Sequence, residues 1–234
     1  MADVESLKRE AGIEACKFVL DGMKVGLGTG STVKHTVIEL GRRIRDEGLK
    51  ITGVPTSLAT EKLAIECGIP LVELSSVDGL DIVIDGADEF DPDFHLVKGG
   101  GAALLREKIV AQESDIMVVV ADERKKVNVL GAFPLPIEIT PFSQSATVRA
   151  LNRILDCRVN IRMSGDGPVI TDNNNMIADA HMGPKIEDPI SLESEILKLA
   201  GVVQVGLFTN MCDAVVLASS NKVETIVNPN GKLA

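Results

Sequence analysis

Tryptophan and tyrosine are absent from this 234-residue chain, and aromatic residues make up only 3% of it. Base stacking on aromatic rings is therefore excluded as its working surface. Positive charge is not in excess either. Thirty-four Asp and Glu stand against 24 Lys and Arg, a formal net charge of −10. The chain thus lacks a general basic footprint for nucleic acid, and an anionic ligand would have to meet positive potential locally. Cys16, Cys67, Cys157 and Cys212 are scattered, with neither zinc-ligand nor C-x-x-C spacing. They are expected to be reduced and packed as small hydrophobes. His35, His95 and His181 are isolated, with no catalytic partner at a recognisable spacing. No G-x-S-x-G elbow marks a nucleophile. No apolar run approaches membrane-spanning length, and the first ten residues are charged. A signal peptide and a transmembrane segment are not expected, and the cytoplasm is the expected setting.

What is present is a Val, Ile, Leu and Ala core with 21 glycines, the composition of parallel α/β sheets. Helical periodicity over residues 5–20 ends at Asp21-Gly22. Strand and helix patterns then alternate. Lys24–Leu27 reads as a strand, Val33 to Gly48 as a helix, Ile51–Val54 as a strand and Pro55–Cys67 as a helix. Pro70–Leu74, Leu80–Ile84 and Ile116–Ala121 read as further strands. The rhythm predicts a doubly wound, mostly parallel, Rossmann-like sheet. At Gly131–Pro136 the texture changes to that of a linker. Ser145–Cys157 and Pro189–Leu199 read as helices around short strands at Arg158–Met163, Val169–Thr171 and Met176–Ala180, with a hairpin turn at Asp172–Asn175. Val202–Leu207, Ala214–Ala218 and Val223–Val227 are expected to rejoin the first sheet. The expected division is 1–131 plus 202–234 for the main domain and 132–201 for a smaller α+β domain.

Gly28-Thr29-Gly30-Ser31-Thr32 lies between a strand and a helix N-terminus. Glycines allow close approach, unused N–H groups point outward, and the helix dipole favours an anion. The dinucleotide fingerprint fails because Ser31 stands where its third glycine belongs, and the P-loop fails for want of its lysine. Taken alone, the turn reads equally as a monophosphate cradle and as a capped turn with no ligand.

The chemistry concentrates in residues 85–110. Asp85-Gly86-Ala87-Asp88-Glu89 follows an apolar strand, then Lys98-Gly99-Gly100-Gly101, then a helical segment carrying Glu107. One Asp here would be an ordinary turn cap. Clustered carboxylates repel unless something needs them. Metal binding ranks below acid–base work, because the spacing does not fit a calcium loop and no histidine lies in a ligand pattern. Three consecutive glycines are entropically costly. Their N–H groups would make an oxyanion pocket, with Lys98 adding charge. Glu107, between Arg106 and Lys108, reads on sequence alone as part of a charged helix face.

Five blocks together are more specific than any one of them: Gly26–Thr32, Asp85–Glu89, Lys98–Ile109, Phe133–Pro136 and Gly201–Phe208. In this order the chain resembles the type A ribose-5-phosphate isomerase family along nearly its whole length. The resemblance implies interconversion of D-ribose 5-phosphate and D-ribulose 5-phosphate in the pentose phosphate pathway, without metal or organic cofactor. By the same motifs Glu107 is the expected base. Asp85, Asp88 and Lys98 line the sugar site, with Asp85 the candidate for ring opening. Thr29, Gly30, Ser31 and Thr32, the Gly86-Ala87 pair and Gly99–Gly101 are expected substrate contacts. Lys125 and Lys8 are candidate phosphate contacts. A homodimer or homotetramer is implied, with no nucleic-acid or membrane partner. Three other readings compete: a sugar-phosphate deaminase or coenzyme A transferase, a sugar-phosphate sensor domain, and a binding module without activity. The Lys98–Glu107 block argues against the first. The second would carry a DNA-binding helix-turn-helix, for which the first twenty residues are too short, and the chain is acidic; retention of all four polar site groups argues against the third.

Overall fold

The computed structural model describes residues 4–233. In chain order its elements begin with α1 (Val4–Ala15), β1 (Lys24–Leu27), α2 (Val33–Glu47), β2 (Thr52–Pro55), α3 (Leu58–Glu66) and β3 (Leu80–Gly86). Then come β4 (Glu89–Phe90), β5 (Leu96–Val97), α4 (Leu104–Gln112), β6 (Ser114–Asp122), β7 (Leu135–Ile139), α5 (Gln144–Leu155), β8 (Arg158–Ile161), β9 (Met163–Ser164) and β10 (Gly167–Pro168). The last are β11 (Met176–His181), α6 (Pro189–Leu197), β12 (Val202–Val205), β13 (Leu207–Phe208), β14 (Ala214–Ala218) and β15 (Val223–Val227). Two compact units result. The first holds the chain up to Ala87, Arg106–Lys126 and the chain from Met211 onward; the second holds Asp88–Leu105 and Val127–Asn210.

The first unit is built on a six-stranded sheet in the order β15-β14-β6-β3-β1-β2. Every pairing is parallel except the antiparallel edge pair β14–β15. The middle strands are near-continuous apolar runs because both faces are covered. All five residues of β14 are buried, as are Met117–Asp122 of β6. Helix α2 buries Val33, Val37 and Leu40 on one face, and Gly48 closes it in the left-handed conformation. A Cβ on Gly26 would lie 2.7 Å from Val110 Cγ1, so that glycine lets α4 sit directly on β1. Helix α4 runs back along the sheet into β6. Its N-terminal turn therefore lies toward the carboxyl ends of the strands, where open parallel sheets bind ligands.

The second unit contains an antiparallel four-stranded sheet, β12-β7-β11-β8, and the small sheet β13-β5-β4. Its core joins Leu135, Ile137 and Ile139 to Leu151, Leu155, Ile196 and Val205. The architecture is the expected mostly parallel α/β sheet with added antiparallel structure. Four local expectations need correction. Val202–Leu207 does not rejoin the first sheet, because β12 pairs with β7 and β13 with β5. The partner strand β7 is fully buried, yet Pro134 and Pro136 make its sequence read as a linker. Pro70–Leu74 makes only a single bridge, Leu71 to Gly53, and Val169–Thr171 likewise reduces to Ile170 against Met176. Pro70 and Pro168 supply no N–H, which shortens any ladder they enter. The Asp172–Asn175 turn has a buried anchor. Glu138 Oε1 accepts from Thr171 Oγ1 at 2.9 Å and from Asn175 Nδ2 at 2.9 Å.

Candidate active site

At the carboxyl edge of the first sheet, Asp85 occupies the end of β3 and is fully buried. Its Oδ1 accepts from the N–H of Thr29 at 3.0 Å and of Gly86 at 2.7 Å. Two N–H donors on one carboxylate oxygen are charge-assisted bonds that fix its direction. Gly28 makes the approach possible. A Cβ there would fall 2.2 Å from Asp85 Oδ1 and 2.6 Å from Asp85 Cα. The first glycine of the turn therefore serves Asp85. The second serves the backbone, since Gly30 has φ +135° and open space around it. Gly30 and Ser31 are exposed, and Thr32 is buried where α2 begins. The N–H groups of Lys34 and His35 in its first turn donate back to the Gly30 and Thr32 carbonyls, at 3.0 and 3.1 Å.

The turn is braced from below by a hydroxyl cluster that the sequence reading passed over. Thr29 Oγ1 lies 2.8 Å from Thr56 Oγ1, 2.8 Å from Ser57 Oγ and 3.2 Å from Thr60 Oγ1. Thr60 Oγ1 donates to the Gly28 carbonyl at 2.9 Å, and Ser57 Oγ caps α3 by accepting from the Thr60 N–H. The only signal in the sequence was Thr56-Ser57-Leu58-Ala59-Thr60, which reads as an ordinary helix start.

Glu107 is 2% exposed in the opening turns of α4, and Lys108 is buried beside it in sequence. The charged-face reading of this helix is thus wrong for both. Lys125 is half-buried in the short 3-10 turn Glu123–Lys125 that follows β6, so it too lies at the carboxyl edge of the strands. Asp122 caps that turn and pairs with Arg124 at 2.7 Å. Lys8 lies on α1, 3.7 Å from Glu5, which also bonds His35 Nε2 at 2.9 Å.

In the second unit, Lys98 is 2% exposed, with its ammonium 5.2 Å from the centroid of the Phe208 ring. A cation desolvated over an aromatic face is held more firmly than one in water. Its N–H donates to the Gly206 carbonyl at 2.8 Å. Asp88 Oδ2 accepts from the Gly100 N–H at 2.7 Å, and a Cβ on Gly100 would lie 2.5 Å from Asp88 Oδ1. Gly99, at φ +108°, has no room for a Cβ against Leu104. Glu89 does not join these acids. It takes the N–H groups of Gly131 at 2.6 Å and Phe133 at 2.5 Å, a structural role. Among the described residues no group of three or more His, Cys, Asp or Glu is placed to hold a metal ion. No helix among them is long and apolar enough to cross a membrane.

Residues 52–222 match the family model described as ribose 5-phosphate isomerase A (phosphoriboisomerase A). The chain belongs to that family. A ribose-5-phosphate isomerase A from Cereibacter sphaeroides is 47% identical over 229 residues, covering 95% of this chain and 91% of the relative. Among solved structures, a D-ribose-5-phosphate isomerase in complex with phospho-erythronic acid superposes with a TM-score of 0.93 at 41% identity, over 97% of this chain and all of the other. The Methanocaldococcus jannaschii ribose 5-phosphate isomerase A gives 0.91 at 43% identity, over 96% of this chain and all of the other. The phosphoriboisomerase blocks Asp85–Glu89 and Lys98–Ile109 fall inside the matched segment, whereas Gly26–Thr32 precedes it.

Proposed function

We propose that this isomerase interconverts D-ribose 5-phosphate and D-ribulose 5-phosphate through an enediolate, with Glu107 as the base. The observation that carries the assignment is the burial of Glu107 near the start of a helix whose N-terminal turn faces the carboxyl edge of the sheet. A sequestered carboxylate can take a proton from C2 and return it to C1 without losing it to water. Ring opening comes first and moves a proton from the C1 hydroxyl to the ring oxygen. Asp85 is the assigned group, and its two N–H bonds hold it in one orientation. Removal of the C2 proton leaves an oxyanion on O1. Lys98 and the N–H groups of the 99–101 glycine loop are the assigned donors to it, that of Gly100 being held by Asp88. A proton then shifts from O2 to O1, C1 is protonated, and the ketone stands at C2. Asp88, with Gly86-Ala87 before it, positions sugar hydroxyls.

The phosphate is several bonds from the reacting carbons, so its binding energy serves to hold the chain in place. Thr29–Thr32, Lys125 and Lys8 are the assigned contacts, and the lysines offset the repulsion from a chain of net charge −10. Lys125→Ala is expected to raise KM for ribose 5-phosphate by roughly ten- to a hundredfold, the worth of one charge-assisted bond, with kcat little changed. Equal KM in variant and parent would remove Lys125 from the phosphate site. The reaction itself is tested by incubating chelator-treated protein with ribose 5-phosphate and following ketose formation. Turnover should persist at the untreated rate, and its loss with the chelator would count against a mechanism run by side chains alone. The reading extends to a cytoplasmic homodimer or homotetramer in the pentose phosphate pathway, which sedimentation and fractionation would examine.

A further inference from the structure

We propose that Arg162 and Asp179 form a positioning clamp that fixes the direction of the N–H groups in the glycine loop 99–101. The inference rests on the reading that this loop donates to the reacting oxygen. Arg162 follows β8 and Asp179 lies on β11, opposite Asn160 of β8. The guanidinium is held by the carboxylate through two bonds, Nε to Oδ2 at 2.8 Å and Nη2 to Oδ1 at 2.6 Å. The pair is mostly buried, with side chains 16% and 14% exposed. Bidentate pairing locks the plane of the guanidinium. Its remaining terminal nitrogen, Nη1, donates to two successive carbonyls, Gly99 O at 2.8 Å and Gly100 O at 3.0 Å.

In a trans peptide the C=O and the next N–H point in opposite directions. Turning the Gly99 carbonyl toward Arg162 must therefore turn the Gly100 N–H away from it. That N–H is found on Asp88 Oδ2. By the same geometry the Gly100 carbonyl, held by the same nitrogen, turns the Gly101 N–H toward the side of the loop opposite Arg162. The clamp thus keeps the Gly100 N–H on the Asp88 carboxylate and leaves the Gly101 N–H as the backbone donor turned to that same side. A positive charge on the carbonyl side also polarises both peptides and strengthens their donors. The Gly99 carbonyl also accepts from the Ala102 N–H at 3.0 Å, but the Gly100 carbonyl has Arg162 as its partner, and glycine peptides held at so few points turn easily.

The test uses the full-length protein with Arg162→Gln, Arg162→Lys, Asp179→Asn and the double variant Arg162→Gln/Asp179→Asn. Each is measured for kcat, KM, thermal melting and amide hydrogen exchange at Gly100 and Gly101. Arg162→Gln should lose about 30- to 100-fold in kcat, the scale of a misplaced oxyanion donor, with KM changed less than about threefold. Arg162→Lys should fall between it and the parent, because an ammonium keeps the charge without the fork. The double variant should be no slower than Arg162→Gln alone, since the two residues act as one unit. Exchange at Gly100 should quicken in every variant. Unchanged kcat together with unchanged exchange would overturn the clamp, and so would a loss confined to KM. Faster exchange with unchanged kcat would keep the clamp as a structural device and overturn the assignment of the glycine loop to the reacting oxygen. The lysine variant keeps the comparison valid if the glutamine variant does not fold.

Discussion

Glu107→Gln is expected to lower kcat by about a thousandfold or more, within the range that a positioned general base supplies. KM for ribose 5-phosphate should move only a few fold. The amide matches the carboxylate in shape, so the packing around the buried side chain and the start of α4 are kept while the ability to accept the C2 proton is lost. Three decades in rate correspond to about 4 kcal/mol of barrier. Because the group acts in the transition state more than in the ground state, the loss belongs in kcat. A second readout isolates the step. In heavy water the parent should place solvent deuterium on the carbon-bound positions of recovered sugar, to an extent set by how often the shuttled proton escapes. Glu107→Gln should place none on the same timescale. Near-normal turnover, or a defect confined to KM, would transfer the role of base to another group. Glu107→Asp retracts the carboxylate by one methylene and should sit between the two, which separates reach from charge.

Legibility in the sequence followed the range of the forces involved. The βα alternation through residue 122 is written in local apolar periodicity, and the central strands formed where it put them, within a few residues at their ends. Asp85 could be placed at a strand end because Leu80 and Ile82–Ile84 before it make an apolar stretch interrupted only by Asp81. Glu107 could not be read the same way. Arg106-Glu107-Lys108 has the composition of a wetted helix face, and only tertiary packing buries the last two. β7 was missed because two prolines break its pattern. The strand holds since Pro136 needs no N–H where it accepts from the Gly206 N–H. Arg162 was invisible for a different reason. Its partners lie 17, 62 and 63 residues away along the chain, and no local pattern encodes a contact at that distance. The Thr56–Thr60 hydroxyls hid behind a simpler use, since a helix cap explains Ser57 by itself.

Gly28→Ala should be among the most damaging single changes outside the reacting groups, and for a reason unlike the one its motif suggests. In the phosphate-cradle reading the glycine is there so that a ligand can come close. The added methyl in fact meets Asp85, 2.2 Å from Oδ1, 2.4 Å from Cγ and 2.6 Å from Cα. The last of these is backbone, so no rotamer change relieves the clash. Nor can residue 28 withdraw. Its N–H donates to the Ile84 carbonyl at 3.0 Å, and its carbonyl accepts from Thr60 Oγ1 at 2.9 Å. The ends of β1 and β3 must separate, and the Thr29 N–H bond to Asp85 goes with them. Overpacking and a buried carboxylate short of a donor together cost about 3–5 kcal/mol. For a chain of this length that lowers Tm by roughly 10 °C. Below the melt, kcat should fall by about a hundredfold, because Asp85 no longer faces the sugar at a fixed angle. Gly30→Ala is the contrast. Nothing lies near its Cβ, and the cost there is the backbone conformation alone, on the order of 1–3 kcal/mol. If Gly28 instead served the phosphate directly, Gly28→Ala would weaken binding of inorganic phosphate, raise KM and leave Tm where it was. That pattern would return the glycine to the cradle and leave the orientation of Asp85 to Thr29 and Gly86.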